Sequence, residues 1–281
     1  MAFSGSYPYM PLWLVTVSFF AVLMLSREVG IWFHHRRRRS ATIAPVDDDD
    51  KEDKADDAFA MSSVLGLLAL LIGFTFSLSL SRYDARRELV VKEANAIGTT
   101  WLRTGLLAPA DGERMREVLR RYVDARIAFG EAKTSDAELA EYRRTAALQD
   151  ELWAAMTAGI APIRDTPRAS LVVTTTNDSI DLAAERLASR QAHIPTRILR
   201  MLLLFSILAA GLVGYERASQ RKATTLLLLL FSLAVGLVLD LDLPSTGATN
   251  VPQTPMIDLK QSMAAPPAGL PVPTPAAAAG S

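Results

Sequence analysis

Four apolar runs dominate the chain, two toward each end, with a long polar stretch between them. They cover roughly Tyr9 to Ser26, Phe59 to Leu80, Ile198 to Tyr215 and Ala223 to Leu239. Each is about 17–22 residues long, matching the roughly 20 helical residues that cross a bilayer core of about 30 Å. Lipid offers a backbone no hydrogen bonds, so such runs are stable there as helices. One run alone would fit a buried helix of a soluble core; four in one chain do not. The pattern predicts an all-α membrane protein with four transmembrane helices and a helical extramembrane domain inserted between spans two and three.

The expected divisions follow from the same pattern. An N-terminal transmembrane helix and its interfacial end occupy 1–33, a charged cytoplasmic loop 34–57 and the second span 58–82. The helical domain covers 83–196, the third span 197–216, a short basic loop 217–222 and the fourth span 223–243. A Pro/Ala-rich disordered tail is expected over 244–281, where apolar patterning is lost. Span two carries Ala69, Gly73, Ser77 and Ser81 at every fourth position, a small-residue ridge that lets helices approach closely in lipid. No Gly or Pro interrupts Phe74 to Ile97, and Val90, Ala94, Ile97 and Trp101 continue an apolar stripe, so this helix should run unbroken to about Leu102. Three further helices are expected: one from Pro109 carrying Val118, Tyr122, Ala125 and Phe129, one capped near Thr134, and one from Pro167 toward His193. Ser206, Ala210 and Gly214 in span three, and Ser232 and Gly236 in span four, form further packing ridges.

Charge sets the orientation. Lys and Arg in short loops stay cytoplasmic. The first loop opens with His34-His35-Arg36-Arg37-Arg38-Arg39, and the last carries Arg217, Arg221 and Lys222, whereas the tail has only Lys260. Both termini and the middle from Tyr83 to Thr196 are therefore expected outside the cytoplasm. The first run is expected to be a retained span: no Lys or Arg precedes it, and no small-x-small cleavage site follows. The acidic run Asp47-Asp48-Asp49-Asp50-Lys51-Glu52-Asp53 reads as a solvated connector. With 30 basic and 30 acidic residues the net charge is zero, which gives no reason to expect nucleic acid as a partner. No Cys is present, so thiol, disulfide and iron–sulfur chemistry are excluded.

Three stretches resemble the bacterial bestrophin-like membrane protein family of unknown function. The first is Leu71-Ile72-Gly73-Phe74-Thr75-Phe76 running into Ser81-Arg82-Tyr83-Asp84-Ala85-Arg86-Arg87-Glu88 and Glu93-Ala94-Asn95-Ala96-Ile97-Gly98. The second holds Asn177, Ile180-Asp181-Leu182, Glu185-Arg186-Leu187 and His193-Ile194-Pro195; the third holds Asp240-Leu241-Asp242, Pro244, Gly247, Gln253, Pro255-Met256 and Asp258-Leu259. The resemblance implies a channel-like, self-associating assembly, while bestrophin channels keep their helical mass and termini in the cytosol, opposite to the charge bias here.

Candidate pore residues are Phe74 and Phe76 as constrictions, with Ser77, Ser81, Asp84 and Glu88; rings of charged side chains set ion selectivity. The plainer alternative pairs Asp84, Glu88 and Asn95 with Arg82, Arg86, Arg87 or Arg186 inside a bundle, and the neighbouring arginines leave the sign of selectivity open. Asn95, Asn177, Asp181, Arg186, His193 and Asp240 are candidate buried polar groups. Phosphate loops, dinucleotide fingerprints, nucleophile elbows and zinc motifs are missing, so no enzyme, cofactor or metal is expected. The expected function is an oligomeric ion channel or channel-like assembly, with lipid and further copies of the chain as partners. The alternative is a non-conducting scaffold or sensor with a periplasmic helical domain.

Overall fold

The structure, a computed structural model, describes residues 11–40, 49–243, 247 and 249–264. Its α-helices are α1 (Leu12–Ser40), α2 (Asp49–Arg103), α3 (Pro109–Glu131), α4 (Ser135–Ile160), α5 (Pro167–Gln191), α6 (Thr196–Glu216), α7 (Arg221–Asp242) and α8 (Thr254–Ala264). Short 3-10 turns follow α2 and α4 at Thr104–Leu106 and Ala161–Ile163, and the described residues contain no strand. Four helical stretches are long and apolar enough to cross a membrane, in α1, α2, α6 and α7.

Several helix ends differ from expectation. α1 continues to Ser40, so His34 to Arg39 extend a helix instead of opening a loop. α2 starts at Asp49 and runs for 55 residues, so Asp49 to Asp53 lie in its first turns. Residues 41–48 of the expected connector lie outside the described residues. α2 ends at Arg103, one residue beyond the predicted Leu102. α4 starts as its cap requires, with Thr134 accepting a hydrogen bond from the Ala137 amide at 3.2 Å.

The chain divides into two compact units. One is built from Met1–Leu89 and Glu185–Val251, the other from Val90–Ala184 and Pro252–Ser281. In the first, α1 lies against α6 and α7. Leu23, Ala210 and Leu228 form one apolar cluster with Phe19, Phe20 and Ile207; Leu68, Ile72, Leu202, Ala209 and Val235 form another. The α1–α6 crossing is so close that a Cβ on Gly214 would stand 2.8 Å from the Arg27 carbonyl carbon and 2.9 Å from its Cα. A Cβ on Gly30 would likewise come within 2.9 Å of the Tyr215 amide nitrogen. Ser206, Ala210, Gly214, Ser232 and Gly236 are all buried, and Gly236 makes room for Thr16 of α1, whose Oγ1 a Cβ would approach to 2.7 Å.

In the second unit α3 and α4 pack as an antiparallel pair around Met115, Leu119, Tyr122, Phe129, Leu152 and Met156. The expected disordered tail is corrected here: residues 254–264 form α8. Pro255 suits its first turn, and Met256 and Met263, two turns apart, bury one face while Lys260 pairs with Asp124 at 2.8 Å. The remainder, 265–281, lies outside the described residues.

Candidate functional site

α2 has two unlike sides within the first unit. Leu68, Ile72, Thr75, Ser79 and Arg86 are buried at helical spacing, and Ser79 donates its hydroxyl to the Val238 carbonyl of α7 at 3.0 Å. On the other side Phe59, Gly66, Leu70, Gly73, Ser77, Ser81, Asp84 and Glu88 are all exposed. A Cβ placed on Gly66 or Gly73 would meet nothing within 4 Å. Among the described residues, the small-residue ridge, Ala69 included, is therefore left exposed.

The two candidate constriction residues separate. Phe74 is 67% exposed and Phe76 half-buried. At about 100° per residue they stand roughly 160° apart around the helix, so both cannot face one axis. The arginines separate from the acids in the same way. Arg82 and Arg86 lie on the packed side, with Arg86 buried, while Arg87 is exposed on the flank of the stripe that carries Asp84 and Glu88.

Arg86 is occupied elsewhere. Its Nε donates to Ser189 O (3.2 Å), one Nη to Leu241 O (3.2 Å) and the other to Ala192 O (2.7 Å). The guanidinium thus caps the carboxyl ends of α5 and α7, where helix carbonyls lack partners and cations are favoured. Asp242 completes the knot: its Oδ1 accepts from the Ile194 amide (3.0 Å), and His193 Nδ1 stands 3.3 Å from its backbone oxygen. Two residues back, Asp240 Oδ2 accepts from the Thr249 amide (3.1 Å) and hydroxyl (2.6 Å). Gly247 passes so near that a Cβ would lie 2.5 Å from Asp240 Oδ1. These partners make Asp240 a clip for the chain after α7. The knot joins residues from the stretches Ser81–Glu88, His193–Pro195 and Asp240–Asp242.

Of the expected buried polar groups, Arg186 and Asp240 are buried. Asn95, Asn177, Asp181 and His193 are exposed, which corrects the expectation for them. Asn177 donates to Asp181 Oδ2 at 2.7 Å along the outer face of α5, since residues four apart share a helix face. Sequence reading missed Arg27, buried within α1 although it follows the apolar run that ends at Ser26. Arg27 donates to Arg221 O (3.2 Å) and Thr225 Oγ1 (2.5 Å) at the start of α7, and to Glu28 (2.5 Å). The available signal was the apolar stretch Val29-Gly30-Ile31-Trp32-Phe33 beyond it, which keeps the helix going past the charged pair.

Comparison with known proteins places this geometry. A family model described as the bestrophin-like domain matches residues 40–256. Two variants of a bacterial bestrophin homologue from Klebsiella pneumoniae share the fold. One has a TM-score of 0.65 at 14% identity over 88% of this chain and 97% of that one. The other has a TM-score of 0.63 at 16% identity over 87% and 97%. A third structure, of a variant membrane protein, gives 0.63 at 16% identity over 88% and 97%. At these identities the likeness is one of fold. No curated protein matches the chain in sequence.

Proposed function

The chain belongs to the bestrophin-like family, and from that premise we propose that it is a channel-like protein assembling as a homo-oligomer around an axis lined by α2. The observation that carries the reading is the exposed side of α2. Its glycines meet no described residue within 4 Å, and its polar positions sit opposite the side that carries the buried Leu68, Ile72, Thr75, Ser79 and Arg86. A helix facing only lipid gains nothing from Gly, Ser, Asp and Glu on its outer side, whereas small residues favour close helix association and polar ones suit a wetted axis.

The permeant class follows from which charges share the stripe. Asp84 and Glu88 lie on it, Arg86 is committed to helix carbonyls on the far side, and Arg87 on the flank would face a neighbouring copy. Rings of carboxylates favour cations, so small cations are the proposed permeant ions. Leu70, Gly73 and Ser77 share the stripe and form the narrow part, with Phe74 beside it between adjacent helices. The charge bias of the short loops supports an inner-membrane protein with both termini and the helical domain outside the cytoplasm.

The test is the purified protein in liposomes under a potassium chloride gradient. The reading expects an oligomer with a cation-positive reversal potential, lost when Asp84→Asn and Glu88→Gln are combined. A monomer in nanodiscs, or an oligomer with no flux under any gradient, refutes it; the second result would leave the non-conducting scaffold or sensor.

A further inference from the structure

The unit built on Val90–Ala184 has a polar seam through its apolar core. Tyr122 of α3 donates its hydroxyl to Ser179 O of α5 (3.3 Å) and accepts from Gln149 Nε2 of α4 (3.2 Å). Thr100 of α2 donates to Thr175 O (2.9 Å) and lies 3.0 Å from Ser179 Oγ. All four helices are thereby joined through hydroxyl groups.

One turn from the Tyr122–Gln149 bond, forward along α3 and back along the antiparallel α4, stand Arg126 and Thr145. Arg126 is ion-paired through Nε with Glu93 of α2, and both side chains are 0% exposed. The Phe129 ring covers one face of the guanidinium, with Cζ 4.6 Å from its centroid. Yet Nη1 and Nη2 have no hydrogen-bond partner, and neither has Thr145 Oγ1. Thr145 is 1% exposed. Its isolation is unlike that of Thr157, Thr174 and Thr176, which return their hydroxyls to the carbonyl four residues back. Buried donors of a charged group are costly to leave unpaired, and here they coincide in register with an unpaired hydroxyl.

We propose that Arg126 and Thr145 hold one bound water molecule, sealed between α3 and α4, which completes the polar seam. Charge selects the class of guest. Glu93 already balances Arg126, so an anion would bring net negative charge into a dry core, and a cation would meet the guanidinium. A neutral molecule that accepts from Nη and bonds the Thr145 hydroxyl meets both needs. Buried waters of this kind typically make about three hydrogen bonds and occur about once per 27 residues.

The test uses the full-length protein in lipid, at a resolution that shows ordered water. A density peak within hydrogen-bond reach of an Arg126 Nη and Thr145 Oγ1 is expected. Thr145→Val, which keeps the shape and removes the hydroxyl, should abolish the peak and lower Tm by about 2–4 °C. Thr145→Ser should preserve both. Lack of a peak in the parent, a direct Nη–Oγ1 hydrogen bond, or an unchanged Tm in Thr145→Val overturns the proposal. An anomalous bromide signal at the position in soaked crystals overturns the neutral guest.

Discussion

Two glycines at helical positions should respond in opposite ways to substitution, because one packs within the chain and the other does not. In Gly214→Ala the new methyl meets the Arg27 backbone, at 2.8 Å from the carbonyl carbon and 2.9 Å from Cα, where ordinary van der Waals contact needs about 3.5–4.0 Å. The obstacle is helix backbone rather than the end of a flexible side chain, so α1 and α6 must separate to admit it. Overpacking of this sort costs about 1–3 kcal/mol, and backbone rigidity sets this site at the upper end. Alanine recovers about 0.5–1 kcal/mol over glycine in a helix interior. The net loss is then about 2 kcal/mol, or a Tm lower by roughly 4–8 °C at about 2–4 °C per kcal/mol. A Cβ on Gly73 meets no described residue within 4 Å, so Gly73→Leu should leave monomer stability unchanged or slightly higher, while blocking close approach of α2 to a second copy. The assay is a thermal melt of each full-length variant in mild detergent, with light scattering on the same samples for oligomer mass. Gly214→Ala melting like the parent would refute the α1–α6 geometry. A Gly73→Leu protein that still assembles as the parent does would remove the α2 ridge from the subunit contact.

Replacing Arg86 by Met should destabilise the protein by about 3 kcal/mol or more, since three carbonyl acceptors at helix ends lose a charged donor; urea unfolding measures it. Neutralising Asp84 and Glu88 together should cut cation over chloride permeability in bilayer recordings, whereas Asn95→Ala, outside the proposed pore set, should leave it within about twofold. A reporter active only outside the cytoplasm, fused after Phe129 or Met263, should be active and one fused after Asp57 silent; the reverse pattern would place the helical domain in the cytosol.

Much of this architecture was legible in the sequence. Apolar runs of bilayer length leave a backbone no option but helix, so the four spans and the all-α class follow from composition and periodicity. Pro109, Thr134 and Pro167 mark helix starts because caps and first-turn prolines act locally. Helix ends in charged sequence were harder. The apolar residues beyond Arg27 carry α1 past the place where charge alone suggested a stop, and α2 begins inside the acidic run. The short stripe of Met256 and Met263 became a helix only because it found a surface to bury against.

What spacing could not decide was which side of α2 is packed. Gly73, Ser77, Ser81, Asp84 and Glu88 share one helical face by arithmetic, but a ridge of small residues serves a neighbour in the same chain as readily as one in another. That choice rests on where α6 and α7 lie, since the Val238 and Leu241 carbonyls draw Ser79 and Arg86 to the opposite side. The same long-range bonds sort the mixed charges: Arg86 and Asp242, far apart in sequence, hold helix ends, while Asp84 and Glu88 lie on the exposed face. Local sequence determines that a segment is helical and which residues share a face; the identity of a face's partner is a property of the assembled helices, because packing energy depends on every neighbour at once.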